Sequence, residues 1–162
     1  MRRSIHGGWM GAALAAVLVL VASACSKSTP AAPIYDVFAQ KFKFNGMPAS
    51  IPSGNFQVNF SNKESFPITH EMIVKALPAG DTEQDIIDSA KVPGCEGGAE
   101  CEGQYLAFGE IAGVDTGATL SNVFDLPAGD YFFACWETGT QSGGTDGPPH
   151  ASIGMVYTFT VT

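Results

Sequence analysis

The sequence of 162 residues carries little positive charge and only two arginines. Arg2 and Arg3 lie at the start of the chain, and the residues after position 24 contain six lysines against 16 acidic residues, a net charge near −10. A surface with this net charge does not attract nucleic acid or anionic lipid. The composition therefore argues against a nucleic-acid partner, and it leaves attraction of a basic partner protein, or simple solubility, as the role of the acidic surface.

Residue patterns typical of hydrolases are also missing. The chain has three histidines and four cysteines, and neither a nucleophile triad nor a catalytic pair of carboxylates is visible. The first histidine, His6, lies in an N-terminal segment that we expect to be removed. His70 and His150 are then the only histidines of the remaining chain.

The chain lacks an apolar run long enough for a settled transmembrane helix, since residues 9–22 are too few. This run follows the two arginines and ends in small residues directly before Cys25, a pattern that resembles a bacterial lipobox. We predict that residues 1–24 are a lipoprotein signal peptide and that Cys25 is lipid-modified. The alternative is a plain secretory signal with Cys25 as an incidental thiol. Both interpretations predict export.

The residues after Cys25 predict a tether followed by one domain. Residues 25–33 are short, polar and proline-containing, which is typical of a flexible tether. Residues 34–162 are enough for a single domain with its own core. More than one acyl chain at Cys25 would hold this domain at the extracytoplasmic face of a bacterial membrane, in the periplasm or at the cell surface.

The other cysteines divide into a close pair and a single residue. Cys95 and Cys101 flank a glycine-rich segment, and in an oxidising compartment they are expected to form a disulfide worth about 2 kcal/mol. The alternative is that these thiols bind a metal together with Glu96 and Glu100. With the pair formed, Cys135 has no partner, and metal ligation would explain it.

Alternating apolar and polar residues predict short β-strands through most of the domain. Residues 55–60 are the clearest case, with Phe56 and Phe60 on one face. One helix is predicted after a cap at Asp81 or Thr82. The fold class expected is all-β, a Greek-key β-sandwich with one short helix in an insertion. The predicted strands are 34–44, 55–60, 69–77, 119–126, 130–136 and 155–161.

Four side chains form an ordered set of potential metal ligands. His70, Cys135, His150 and Met155 supply two imidazoles, one thiolate and one thioether. A trigonal His₂Cys set with a weak axial Met is the ligand set of a blue-copper site. Thiolate and thioether favour Cu(I), and imidazole suits both oxidation states, so this set could hold copper through a one-electron cycle.

The sequence 127–135, followed by His150 to Met155, resembles the copper-binding end of the cupredoxins, the plastocyanin and azurin family. The resemblance implies a cupredoxin-like β-sandwich with one copper ion, Cu(I) or Cu(II). It assigns Cys135 as the thiolate, His150 as the second imidazole, Met155 as the axial thioether and His70 as the first imidazole. It also implies an electron carrier or copper-binding protein rather than an enzyme.

Two features depart from the family pattern. Fourteen residues separate Cys135 from His150, whereas electron-shuttling members have only a few there. Glu71 stands where many members have Asn or a hydroxyl residue, and its carboxylate would either lower the reduction potential or point to solvent. Met72 is a rival candidate for the axial ligand.

These observations predict an exported, membrane-tethered carrier of single electrons that serves redox partner proteins, basic ones being an option. The exposed edge of His150, ringed by Pro148, Pro149, Ala151 and Ile153, is the expected exit for the electron. Two alternatives remain: copper binding for storage or delivery without electron transfer, and a metal-free β-sandwich interaction module.

Overall fold

The structure, a computed structural model, describes residues 31–92, 102–139 and 147–162. The named elements of this part of the chain are nine strands in two sheets, an α-helix and a 3₁₀ turn. The first sheet has the order β2-β1-β4-β7 and the second the order β3-β9-β8-β5-β6. The all-β prediction with one short helix is confirmed. The elements are β1 (Ile34–Ala39), β2 (Phe44–Asn45), β3 (Ser50–Ile51), β4 (Gly54–Asn62), β5 (Thr69–Ala76), α1 (Glu83–Ser89), β6 (Ala107–Asp115), β7 (Thr119–Leu126), β8 (Gly129–Ala134), the 3₁₀ turn (His150–Ile153) and β9 (Val156–Val161).

The core between the sheets is rich in phenylalanine. Strand β4 alternates as its sequence predicts, with Phe56, Val58 and Phe60 buried and the residues between them partly exposed. Strand β8 contributes Phe133, whose ring centroid lies 4.6 Å from that of Phe159 on β9. Because both sheets place their apolar side chains inward, the hydrophobic effect holds the two layers together.

Helix α1 covers the outer face of the second sheet. Its Ile86 packs in a second buried cluster with Phe132 and Val156, residues that alternate with the inward-facing ones on β8 and β9. Strand β8 is therefore buried on both faces. Thr82 caps the helix, because its side chain accepts from Asp85 N and its backbone N–H donates to the Asp85 carboxylate at 2.8 Å. In the described part of the chain, no helix has both the length and the apolar character needed to cross a membrane.

The predicted first strand, 34–44, is interrupted by a turn. Strand β1 ends at Ala39 and pairs antiparallel with β2, and residues 40–43 connect them. Lys41 and Phe42 both have positive φ, 55° and 54°. Left-handed backbone costs about 1–2 kcal/mol for a residue other than glycine, so the surroundings must hold this turn. Alternating lysine and phenylalanine is also the pattern of a half-buried strand, so the turn was not predicted from the sequence.

Strand β6 was not predicted from the sequence either. Only Ile111 and Val114 of its nine residues are buried, and Gly109 and Gly113 adopt positive φ. Its pairing with β5 is irregular, with register shifts between His70 and Met72 and again further along. An edge strand with few buried side chains leaves little period-two signal in a sequence.

We expect Phe124→Ala to lower the free energy of unfolding by about 3–5 kcal/mol, because it removes a ring from the core. Phe124 is 2 % exposed and stacks on Phe56 at 5.7 Å. Its neighbour Val123 on the same strand is 58 % exposed, so Val123→Ala should change stability by less than about 0.5 kcal/mol. Urea unfolding measures both, and equal effects would contradict this account of the core.

Candidate metal centre

Three of the predicted ligands meet at one buried point. The Nδ1 atoms of His70 and His150 are 3.1 Å apart, and Cys135 Sγ lies 3.7 Å and 3.3 Å from them, respectively. All three side chains are 0 % exposed. Within the described ranges they form the one cluster of histidine, cysteine and acidic side chains with the spacing of a metal site.

Adjacent strand ends bring these residues together. His70 lies near the start of β5, and Cys135 directly follows β8, which pairs with β5 through Ile73 and Ala134. His150 begins the 3₁₀ turn, where its N–H donates to Glu137 O at 2.9 Å. The two ends of the long segment between Cys135 and His150 are thus hydrogen-bonded to each other. Residues 140–146 of that segment lie outside the described residues.

Met155, the fourth predicted ligand, is held beside the other three. Its N–H donates to His150 O at 3.0 Å, and its carbonyl accepts from Cys135 N at 3.2 Å. Its side chain is fully buried in the same core cluster as Cys135. Met72 is buried in this cluster too, but its backbone pairs with Ile111 of β6. The backbone hydrogen bonds therefore favour Met155 over Met72 as a neighbour of the cysteine and histidine.

The donor atoms suit a bound cation. Burial lowers the pKa of His70 below its usual range and, together with the nearby His70, lowers the pKa of His150 to about 4. Burial also raises the pKa of the Cys135 thiol well above its usual range. In their uncharged forms, both histidines have a buried Nε2 atom that makes no hydrogen bond among the described residues. The two Nδ1 atoms and the sulfur face one another at 3.1–3.7 Å, so these groups offer one ion three donor atoms in a buried site.

Glu71 joins the histidine strand to the cysteine segment. Its carboxylate accepts from Trp136 N at 2.7 Å, and its own N–H donates to Cys135 Sγ at 3.4 Å. Burial raises the pKa of Glu71 to about 7. The carboxylate is thus directed at the protein backbone rather than at solvent, and Glu71 connects the strand of His70 to the segment of Cys135.

Two residues that the sequence did not suggest complete the surroundings. The Phe42 ring packs edge-on against both imidazoles, with ring centroids 4.9 Å from His150 and 5.6 Å from His70. Phe42 N donates to Glu64 Oε1 at 2.8 Å, and the same oxygen lies 3.5 Å from His70 Nε2. Glu64 is buried, so one carboxylate both fixes the left-handed turn and faces the back of the first histidine.

The prediction that His150 has an exposed edge is wrong. His150 is fully buried, and its neighbours Pro149 and Ala151 are buried as well, whereas Ile153 is half exposed. The Phe42 ring, from the turn after β1, packs against the His150 ring, where solvent was expected. No local pattern indicated this contact, because it joins residues far apart in the chain.

The lipidation and disulfide predictions fall outside the described residues. Cys25, Cys95 and Cys101 lie in segments that the structure does not describe. Within the described part, Cys135 is a free thiol.

Solved structures of auracyanins have the same architecture as this chain. Auracyanin B matches with 22% identity and a TM-score of 0.55, over 83% of this chain and 91% of its own. Auracyanin A, described as a "blue" copper protein of Chloroflexus aurantiacus, matches with 15% identity and a TM-score of 0.53, over 80% and 98%. The reduced auracyanin of Roseiflexus castenholzii matches with 16% identity and a TM-score of 0.53, over 80% and 96%.

The likeness shows that this chain has the cupredoxin fold. No protein-family model and no curated protein matches the sequence. The donor set of His70, Cys135, His150 and Met155 fits the blue-copper pattern of two imidazoles, one thiolate and a weak axial thioether.

We expect Glu71→Ala to lower the free energy of unfolding by about 1–3 kcal/mol, because Trp136 N then loses its acceptor in a partly buried position. Glu71→Gln should be close to neutral, since the amide oxygen can accept the same hydrogen bond. Denaturant unfolding of the metal-free protein measures both. Equal losses in the two variants would show that the hydrogen bond to Trp136 is not what Glu71 contributes.

Proposed function

We propose that this protein is an exported, membrane-tethered carrier of single electrons with one copper ion bound by His70, Cys135, His150 and Met155. The observation that supports it most strongly is the convergence of two imidazole Nδ1 atoms and one sulfur within 3.1–3.7 Å in a fully buried cluster. Copper at this point would supply reversible one-electron chemistry between Cu(I) and Cu(II). Redox proteins are the partners that such a carrier serves.

The chain's own residues would keep the donor atoms in place during a change of charge. The hydrogen bonds Ala151 N to Cys135 O, at 2.7 Å, and Cys135 N to Met155 O fix the backbone on both sides of the thiolate. The Glu71 carboxylate fixes the neighbouring Trp136. A site whose ligands move little loses little energy to rearrangement when an electron enters or leaves. Four protein donors also leave no position for a substrate, which argues for a carrier rather than a catalyst.

Glu64 and Phe42 would tune this site. A histidine that binds metal through Nδ1 carries its proton on Nε2, and Glu64 Oε1 is the acceptor that faces His70 Nε2. A carboxylate there makes the imidazole a stronger donor and favours Cu(II). The Phe42 ring excludes water from both imidazoles, which favours the less charged Cu(I). The reduction potential would reflect the balance of these opposing effects.

Export and tethering rest on the N-terminal sequence. Small residues before Cys25, after a short apolar run, are the feature that supports a lipid anchor, and residues 25–33 would link the anchor to β1.

Titration of the purified protein with Cu(II) tests the copper site. We expect one equivalent to bind and to give an intense visible thiolate-to-Cu(II) absorption band, which Cys135→Ser abolishes. The double variant Cys95→Ser, Cys101→Ser, which leaves no unpaired thiol from the predicted disulfide, serves as the control and should retain the band. A colourless protein after loading would refute the proposal, whereas a band with slow electron self-exchange would favour copper storage or delivery over electron transfer.

A pair of methionine variants completes this test. Both Met155 and Met72 are fully buried in the same cluster, so their replacement by leucine has a similar packing cost. Met155→Leu should shift the reduction potential upwards, because the axial ligand tunes the potential. Met72→Leu should leave it nearly unchanged. The reverse result would identify Met72 as the axial ligand.

Cell fractionation tests the tether. The wild-type protein should sediment with membranes and label with a radioactive fatty acid, and Cys25→Ser should move it to the non-membrane fraction without label. Ser28→Ala, in the same segment, should behave as the wild type. If Cys25→Ser remained on the membrane in equal amount, the anchor would lie elsewhere.

A further inference from the structure

Three lysines of this acidic chain lie around one aromatic residue. Lys75 is buried and paired with Glu102, and Lys91 is paired with Asp88 at 2.9 Å. The other three lysines of the described residues are exposed and make no ion pair within that part of the chain. They are Lys41, Lys43 and Lys63.

A backbone hydrogen bond places Lys63 beside the turn that carries the other two lysines. Lys41 and Lys43 flank Phe42 in the turn after β1. Lys63 N donates to Ala39 O at 2.8 Å, directly before that turn, and its Nζ lies 4.0 Å from the centre of the Phe38 ring. Together with Phe42, the three lysines form a surface that we call the lysine face.

The lysine face lies over the candidate metal centre. Phe42 is partly exposed, and its ring contacts both His70 and His150, which are themselves fully buried. Glu64 fixes the turn from below through Phe42 N. Among the described residues, Phe42 is thus the side chain that packs on both imidazoles and also reaches the surface.

We propose that the lysine face is a docking surface for a redox protein that presents carboxylates, and that the electron passes between this partner and the copper by way of Phe42. The proposal rests on the copper-carrier function proposed above. It changes the kind of partner expected from the net charge: the partner's contact surface is acidic, not basic.

Local charge governs docking because distant charges are screened. The Debye length is about 8 Å at physiological ionic strength, so the net charge of the chain near −10 acts weakly on a partner in contact with three lysines.

A rival docking surface exists at the same end of the molecule. Carboxylates of Glu64, Asp115 and Glu137 line a cavity of about 650 Å³, which would instead attract a cationic partner.

A protein partner fits the lysine face better than an anionic membrane does. Lipid recognition by charge usually takes clusters of four to eight basic residues, each worth about 1 kcal/mol near the surface. Three lysines fall below that range, and the remaining acidic surface opposes approach to a bilayer. An electron partner, in contrast, needs close contact at the one place where the metal centre is covered by a single ring.

Stopped-flow oxidation of the Cu(I) protein by hexacyanoferrate(III) tests the charge of this surface. Each Cu(I) gives one electron, and hexacyanoferrate(III) becomes hexacyanoferrate(II). At an ionic strength of about 0.1 M, where the Debye length is about 10 Å, we expect Lys41→Gln or Lys43→Gln to slow the reaction by about threefold each, the screened effect of one charge on a trianion at roughly 8 Å. Lys91→Gln makes the same change in net charge and should have almost no effect. A rate that rises with salt above this ionic strength, or equal effects of all three variants, would overturn the proposal.

A second measurement needs no copper and so separates this proposal from the first. Hexacyanochromate(III), a redox-inert paramagnetic trianion, should broaden the amide resonances of residues 40–43 and Lys63 in the metal-free protein. Hexaamminechromium(III) should broaden those of the cavity residues Thr69 and Asp115 instead. Broadening by the anion elsewhere would overturn the lysine face even if copper binds. Absence of copper binding with the expected broadening would refute the carrier function and retain an anion-docking surface.

Vesicles of 30% phosphatidylserine in phosphatidylcholine separate a membrane from a protein partner. Both proteins carry Cys25→Ser, which removes the proposed lipid anchor: one has the three native lysines and the other the triple variant Lys41→Gln, Lys43→Gln, Lys63→Gln, and they should sediment with the vesicles to the same extent. A loss of more than twofold in the triple variant would assign the lysine face to the membrane and overturn the protein-docking proposal.

Discussion

The structure depends on a short ladder of backbone hydrogen bonds that continues beyond β8 and β9. Ala151 N to Cys135 O, Cys135 N to Met155 O and Met155 N to His150 O join residues that lie up to twenty positions apart in sequence. Because these bonds fix the backbone, a sulfur and an imidazole stay close together where both side chains are buried. The unfavourable burial of three polar side chains is thereby built into the fold, and a bound cation would offset it.

Much of this arrangement was predictable. Period-two alternation located β4 and β9, the turn residues 127–129 located β7 and β8, and the capping pattern at Thr82 located α1. The order of histidine, cysteine, histidine and methionine indicated the donor set, because few residue types bind soft metals and this chain has few of them. The residues around the donor set could not be predicted. Glu64 and Phe42 are 22 positions apart and hydrogen-bonded to each other, and no local sequence pattern encodes such a contact.

The turn at Lys41 and Phe42 illustrates how local preference yields to tertiary contacts. The same letters would form a regular strand, and two consecutive left-handed residues other than glycine are costly. A buried carboxylate that accepts the Phe42 N–H, and a ring that covers two imidazoles, are the contacts that offset this cost. Strained backbone held by its surroundings is common where a protein positions a functional group.

The direction of β1 separates the start of the domain from its metal-binding end. This strand begins at Ile34, directly after the segment 25–33, and runs for six residues to the turn that covers both histidines. Six extended residues span about 20 Å. The entry of the chain into the domain at Ile34 is therefore separated by the length of β1 from the place where Phe42 covers the two imidazoles.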